Sequence, residues 1–456
     1  MTAAKPLRAA ASAEEVFGTQ HGLFSRAYAG DDDPLSEARL KALFGPQAAM
    51  EGPLARTGVG CRFHGVDVAR QLSAEQAAYL IDALSMHSII VFAGQDLRRV
   101  SLAHFERFAN HFGAPQPVPK VVTEGVVDAV NEALTQITGQ EGERVEHLPV
   151  PPESSALYTV TNVEPVKDGS VRVLTPRPRA RNPSRQDISE EVRCEVLWHT
   201  DQDHERIACN TTMFLVHKHP AARDAASGNW LGSYPEVDHD TFYRHPDLPE
   251  GMEHFHTTDA RLVRLRQQHL PLNAETAFAD TVAAFEALPG AERERLEQIR
   301  MVKYERPGDD VDGKGYYCPL IRTNPRSGRR MIYSPVYGSR FVLQNIPPPQ
   351  IEGMSKAETK AFLDELEAHC LQPRFRYNHL HQEGDLVIWD DYALLHCLPP
   401  VKIGITRLED ARLYYRIATK GAPRLTLPRQ DSREWLLENL KDTYSTPAEI
   451  LEVGSA

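Results

Sequence analysis

Val196-Leu197-Trp198-His199-Thr200-Asp201-Gln202 sets an imidazole and a carboxylate two residues apart at the end of a short apolar run. In a strand or its exit turn, residues i and i+2 point to the same side. His199 and Asp201 can therefore face one ion. A site needs a third ligand, and the best candidate is His396, which follows the apolar run Leu386-Val387-Ile388-Trp389. Two histidines and one carboxylate on one face of a metal leave three positions open. That is the facial arrangement of non-haem iron(II) oxygenases. A His-x-Asp pair alone is weak evidence, so its weight rests on the surrounding segments.

Other residues compete for a role. His217 and His219 form a His-x-His pair, but they precede Pro220 in a polar run and read as surface. His379 and His381 alternate in an apolar-polar strand over 375–381, so they share a face and read as half-buried sheet residues rather than ligands. Arg412, Tyr414 and Arg416 share one face of a strand over 411–418. Arg177, Arg179, Arg181 and Arg185 make a basic patch between prolines, read either as a solvated loop or as a lid over an anionic ligand.

The elements that must position these residues are short. Ser73-Ala74-Glu75-Gln76 and Ser355-Lys356-Ala357-Glu358 are capping boxes, and each opens a helix. Ser101 caps another, with Phe105, Phe108, Ala109 and Phe112 on one core-facing stripe and Gly113 as its C-terminal cap. Strands are expected at 58–63, 88–92, 156–162, 211–216, 276–281 and 386–389. A hairpin is expected over 317–334, turning at Asn324-Pro325-Arg326-Ser327-Gly328. Many short strands with a few capped helices predict a mainly β core with helical elaborations (α+β), a sandwich or jelly roll. Residues 1–53 read as an irregular N-terminal extension, 54–425 as the main domain, and 426–456 as a polar helical tail. Segments 163–193 and 221–273 read as insertions that cover the pocket and set substrate choice. Alternatively, 221–273 packs on the outer sheet or makes a contact between copies in a homo-oligomer.

Composition sets bounds. The chain has 456 residues, 41% hydrophobic and 25% charged, ordinary for a globular protein. A net charge of -12 argues against nucleic acid, which needs a basic face. The six cysteines are scattered without a C-x-x-C pair, which favours a reduced, cytoplasmic location. No apolar run approaches the length of a membrane span, and the start does not read as a secretory signal.

The blocks Trp198-His199-Thr200-Asp201, Thr276-Ala277-Phe278-Ala279-Asp280-Thr281, Arg322-Thr323-Asn324-Pro325-Arg326-Ser327-Gly328-Arg329, 384–396 and 412–419 occur in one order. In that order they resemble the taurine / 2,4-dichlorophenoxyacetate dioxygenases. The resemblance implies a double-stranded β-helix, Fe(II), 2-oxoglutarate as co-substrate and O2. It implies that His199, Asp201 and His396 bind iron, that Arg412 and Thr276 hold the distal carboxylate of 2-oxoglutarate, and that Arg416 meets an anionic group of the substrate. The implied reaction oxidises a C–H bond of a small anionic or amino-acid-like molecule by hydroxylation, desaturation or ring formation, with succinate and CO2 as co-products. Halogenation is disfavoured because Asp201 is present. The segment Ala114-Pro115-Gln116-Pro117-Val118-Pro119 lacks the histidine that meets taurine's sulfonate, which argues against taurine. Two rival readings are a non-catalytic jelly-roll binding protein and a zinc hydrolase on the same triad.

Overall fold

The computed structural model describes residues 35–116, 157–161, 163–165, 171–173, 198–220, 259–267, 275–324, 326–337, 346–397, 412–421, 423–425, 427 and 451–452. In chain order the elements are α1 (Glu37–Phe44), β1 (Ala49–Glu51), β2 (Cys61–His64), α2 (Ala74–His87), β3 (Ile89–Phe92), α3 (Leu102–Ala109), β4 (Ala114–Pro115), β5 (Tyr158–Thr161), β6 (Val163–Pro165), β7 (Val171–Val173) and β8 (Thr211–Lys218). They continue with α4 (Ala260–Gln267), β9 (Thr276–Asp280), α5 (Thr281–Glu286), α6 (Gly290–Glu297), β10 (Arg300–Lys303), α7 (Asp309–Asp312), β11 (Tyr316–Pro319), β12 (Ile321–Thr323), β13 (Arg330–Ile332) and β14 (Gln350–Ile351). The last are α8 (Lys356–Cys370), β15 (Arg376–His379), β16 (Leu386–Asp390), β17 (Leu394–Cys397), β18 (Leu413–Lys420) and β19 (Leu451–Glu452).

Two sheets matter for the site. The larger runs β1-β2-β3-β16-β8-β18-β4, with β5 also paired to β18. Only β2 and β3 pair in parallel; the other pairs are antiparallel. The smaller runs β15-β9-β17. Alternation along the central strands sorts the large sheet into two faces. Met213, Leu215, Leu386, Ile388, Tyr415 and Ile417 join one core cluster with Leu80, Leu84, Phe105 and Phe108 of α2 and α3. Phe214, Val216, Val387, Trp389 and Tyr414 join a second cluster with Phe278 and Leu394 of the small sheet. The far face of the small sheet, Ala277, Ala279, Leu395 and Cys397, packs with Leu262 of α4 and Leu363 and Leu366 of α8. The layers are thus helices, large sheet, small sheet, helices. Both faces of β16 are covered, which is why 386–390 is an unbroken buried run.

Several expectations need correction. Residues 35–53 are not an irregular extension. Helix α1 buries Leu40, and β1 pairs with β2. A three-residue strand carries too little alternation to be read from sequence. The described end of the tail is a strand, β19, added to β11, not a helix. Helix α3 ends at Ala109, capped by Asn110. Gly113 serves a close approach instead: at φ 148°, a Cβ there would lie 2.8 Å from the carbonyl oxygen of Lys420. The 163–193 connection contains the β6–β7 hairpin, while its arginine cluster lies outside the described residues. Of the 221–273 insertion, only 259–267, which holds α4, is described. No helix among the described residues is long and apolar enough to cross a membrane. The described cysteines, Cys61, Cys209, Cys318, Cys370 and Cys397, are buried and form no disulfide among the described residues, and Cys194 lies outside them.

Candidate active site

His199 and His396 face each other across a two-residue antiparallel bridge. Each backbone N–H donates to the other residue's carbonyl at 2.9 Å. The imidazole centroids lie 4.4 Å apart. Asp201, in the turn just beyond, brings Oδ1 to 3.7 Å from His199 Nε2 and Oδ2 to 3.8 Å from His396 Nε2. One donor atom from each of the three residues lies within 4.8 Å of the others. Donors bound to one ion at about 2.0–2.1 Å each are at most about 4.2 Å apart, so the nearest separations suit a shared ion. The side chains are 21%, 13% and 8% exposed for His199, Asp201 and His396, so His199 is the most accessible of the three.

Asp201 is held from behind. Arg416 Nη2 donates to its Oδ2 at 2.6 Å, and Thr212 Oγ1 donates to the same oxygen at 2.7 Å. Burial alone would raise the Asp201 carboxyl. The Arg416 guanidinium, helped by His199 and His396, outweighs burial and holds it well below the usual range. Thr212 Oγ1 is also 2.7 Å from Asp391 Oδ2, and Trp389 Nε1 donates to Asp391 Oδ1 at 2.9 Å. Asp391 Oδ1 lies 3.8 Å from His396 Nδ1. Burial, and then the charge of Asp201, push the Asp391 carboxyl well above the usual range. Strand register brings these groups together: Thr212 sits opposite Trp389 in the β8–β16 pair.

A second constellation surrounds Arg412. Its side chain is 1% exposed, and its guanidinium carbon lies 4.4 Å from the centre of the Tyr414 ring. Burial lowers its pKa. Thr276 Oγ1 lies 2.8 Å from His381 Nε2, and the His381 ring is 5.0 Å from that of Tyr414. Thr276 and Arg412 are therefore linked into one cluster through His381 and Tyr414. His219 is also part of it, hydrogen-bonded through Nδ1 to the Tyr414 hydroxyl. It is buried, not on the surface, and His379 and His381 are fully buried, not half-buried. His219 Nε2, His379 Nε2 and His381 Nδ1 find no hydrogen-bond partner among the described residues. A buried cation beside several hydrogen-bonding groups is a natural place for a carboxylate.

Phe214 and Trp389 connect the two constellations. Phe214 lies 5.5 Å from Tyr414, 5.8 Å from His381 and 4.9 Å from Trp389, and Trp389 lies 5.3 Å from His396. The structure thus brings His199, Asp201, His396 and Arg416 into one contact set and Thr276 and Arg412 into the adjoining one. Sequence reading passed over Thr212 and Asp391, and it assigned His219 to the surface and His381 to a half-buried sheet face. Alternation had placed His379 and His381 on one face, but alternation cannot tell core from pocket. Asp391 carried a faint signal, as a second acidic residue directly after an apolar strand.

Residues 253–401 match the family described as taurine catabolism dioxygenase TauD, TfdA family. The alpha-ketoglutarate-dependent 2,4-dichlorophenoxyacetate dioxygenase of Burkholderia sp. (strain RASC) is 32% identical over 138 residues, 28% of this chain and 43% of that protein. Pentalenolactone F synthase of Streptomyces arenae is 30% identical over 144 residues, 27% of this chain and 45% of that protein. The match thus spans under half the length of these two relatives. Among solved structures, a taurine dioxygenase from Burkholderia xenovorans superposes with a TM-score of 0.46 at 18% identity, covering 82% of this chain and 92% of that one.

Proposed function

We propose that this chain, which carries a TauD/TfdA-family region over residues 253–401, is an Fe(II)- and 2-oxoglutarate-dependent dioxygenase on a jelly-roll core. One observation supports this above all. The family region contains Thr276 and His396, while His199, Asp201 and Arg412 come from outside it, and all five converge on two adjoining constellations. A zinc hydrolase or a non-catalytic binding protein has no use for a buried arginine and threonine next to a facial triad.

His199, Asp201 and His396 would hold the iron. Arg412 and Thr276 would fix the distal carboxylate of 2-oxoglutarate, with the Arg412 fork supplying paired N–H donors. When bound, iron, 2-oxoglutarate and dioxygen supply oxidation of a substrate C–H bond, with succinate and CO2 as co-products. The protein's part is to orient and to exclude water. Phe214, Trp389 and Phe278 give the site an apolar floor, and His199 is the most accessible member of the triad. The substrate is read as a small anion or an amino-acid-like molecule. The 2,4-dichlorophenoxyacetate named for the Burkholderia relative is itself an anion. Arg416 is the residue read to meet that charge. A cytoplasmic location goes with buried thiols that form no disulfide among the described residues.

The test is succinate release from 2-oxoglutarate with Fe(II) and ascorbate. His199→Ala and Asp201→Ala should each abolish iron-dependent turnover in a chain that still folds, with Asp201→Ala the less stable of the two because it strands Arg416. Full activity in either variant would remove the assignment.

A further inference from the structure

The Asp201 carboxylate could in principle offer either oxygen, or both, to an ion. A carboxylate oxygen has two lone-pair sites. On Oδ2 both are engaged, by Arg416 Nη2 at 2.6 Å and Thr212 Oγ1 at 2.7 Å. Both oxygens lie near a candidate ligand, Oδ1 at 3.7 Å from His199 Nε2 and Oδ2 at 3.8 Å from His396 Nε2, so it is the two hydrogen bonds on Oδ2 that set them apart. The Thr212 hydroxyl is fixed in turn. Its one proton is set between two carboxyl oxygens, because Asp391 Oδ2 is also 2.7 Å away, and Asp391 is tied down by the indole N–H of Trp389 at 2.9 Å. The backbone of Thr212 is set by its β-ladder partners Trp389 on one side and Ala418 on the other. Threonine at this position is therefore held by two neighbouring strands and by a buried carboxylate.

We propose that Thr212 is a positioning residue for the metal centre: with Arg416 it occupies Oδ2 of Asp201, so that Oδ1 alone is presented to the ion. This rests on the metal-centre reading above. It assigns Thr212, Asp391 and Trp389 a joint task that none of the ligand motifs contains. It also gives Arg416 a second task. An anionic substrate that draws the guanidinium away leaves Thr212 as the group that keeps Asp201 in its one-oxygen pose.

The alternative is that Thr212 and Asp391 merely satisfy each other in a dry core. The two readings separate in metal affinity at constant stability. The probe is Mn(II) alone, titrated into the full chain and followed by the electron paramagnetic resonance of free Mn(II), with thermal unfolding of each metal-free variant in parallel. Wild type should bind one equivalent, and His199→Ala should lose it. Thr212→Val keeps the shape and removes the hydroxyl, and should weaken Mn(II) about 10- to 100-fold, the usual effect of losing an outer partner of a metal ligand. Thr212→Ser restores the hydroxyl and should bind like wild type. If Thr212→Val does not fold, Thr212→Ala removes the same hydroxyl without the extra methyl. A hydroxyl-free variant that folds and binds Mn(II) as tightly as wild type overturns the role of Thr212 and leaves the metal centre standing. So does a Thr212→Ser variant as weak as Thr212→Val. Wild type that binds no Mn(II), or a His199→Ala variant that binds it equally well, overturns the metal-centre reading itself.

Discussion

Arg412, just before β18, and Arg416, within it, lie four residues apart, yet their surroundings give them different work. Arg416 sits against Asp201, whereas Arg412 is sealed beside Tyr414 and the buried histidines. Losing a buried charged hydrogen bond costs on the order of 2–5 kcal/mol, roughly 30- to several-thousand-fold in affinity. Arg412→Ala should raise the 2-oxoglutarate requirement by that range in anaerobic titrations while Mn(II) affinity stays within a few-fold. An unchanged requirement would mean that another cation holds the co-substrate. The histidines yield a separate expectation. Burial, assisted by Arg412, lowers His219 to about 4, and burial, assisted by Arg62, lowers His379 to about 3. Below about 6.5 the unfolded chain takes up a proton at each position and the folded chain does not. Their neutral burial is therefore fully compatible with folding above about 6.5, and stability falls as pH drops from there toward 4. The slope is up to about 1.4 kcal/mol per pH unit for each group. Urea midpoints at pH 7.5 and 5 should differ accordingly, and equal midpoints would show that these rings are not sealed when folded. Ligand types were legible because coordination chemistry restricts them to few residues. His219 was misread because Lys218 and Pro220 flank it, and flanking polarity is silent about a ring tucked under Tyr414. Thr212 and Asp391 were invisible as a pair because 179 positions separate them.

Helix starts were the most legible elements. The boxes at Ser73/Gln76 and Ser355/Glu358 both form, and Ser101 closes a third with His104, because each depends only on residues three apart. Strands between two packed layers were legible as apolar runs, whereas β1, β4, β14 and β19, of two or three residues, were not. Helix α4 changes how the 221–273 insertion is viewed. Its Arg266 makes a buried two-pronged pair with Glu367 of α8, both contacts at 2.7 Å, and its carbonyl accepts the indole N–H of Trp198 at 3.0 Å. This part of the insertion packs against an outer helix and braces the residue next to His199. Arg266→Ala strands Glu367, whose pKa burial already raises, and should cost about 3–5 kcal/mol by chemical denaturation. A loss under about 1 kcal/mol would show that Glu367 finds water or another partner. The covering role read for the rest of 221–273 is tested by replacing it around α4 with short linkers. Retained succinate release with lost substrate oxidation would support a cover, and undiminished oxidation would exclude one.

The order of the layers was not legible, because no local pattern states which faces meet. The mainly β expectation holds for the core, yet it took the three apolar clusters to place helices on both outer sides. The bridge between His199 and His396 has a consequence for how an ion arrives. The two residues that close this ring of chain lie 197 positions apart. Closing a flexible ring of that length costs roughly 5 kcal/mol in chain entropy. Here two backbone hydrogen bonds and the strand β17 close it, through contacts in which no ion takes part. An arriving ion meets its ligands already gathered and has no chain to collect. Its association should then follow first-order dependence on ion concentration with no slow conformational phase in stopped-flow measurements. The far-ultraviolet circular dichroism of the protein should be the same with and without Mn(II). A slow, saturating phase would mean that the bridge opens and re-forms around each ion.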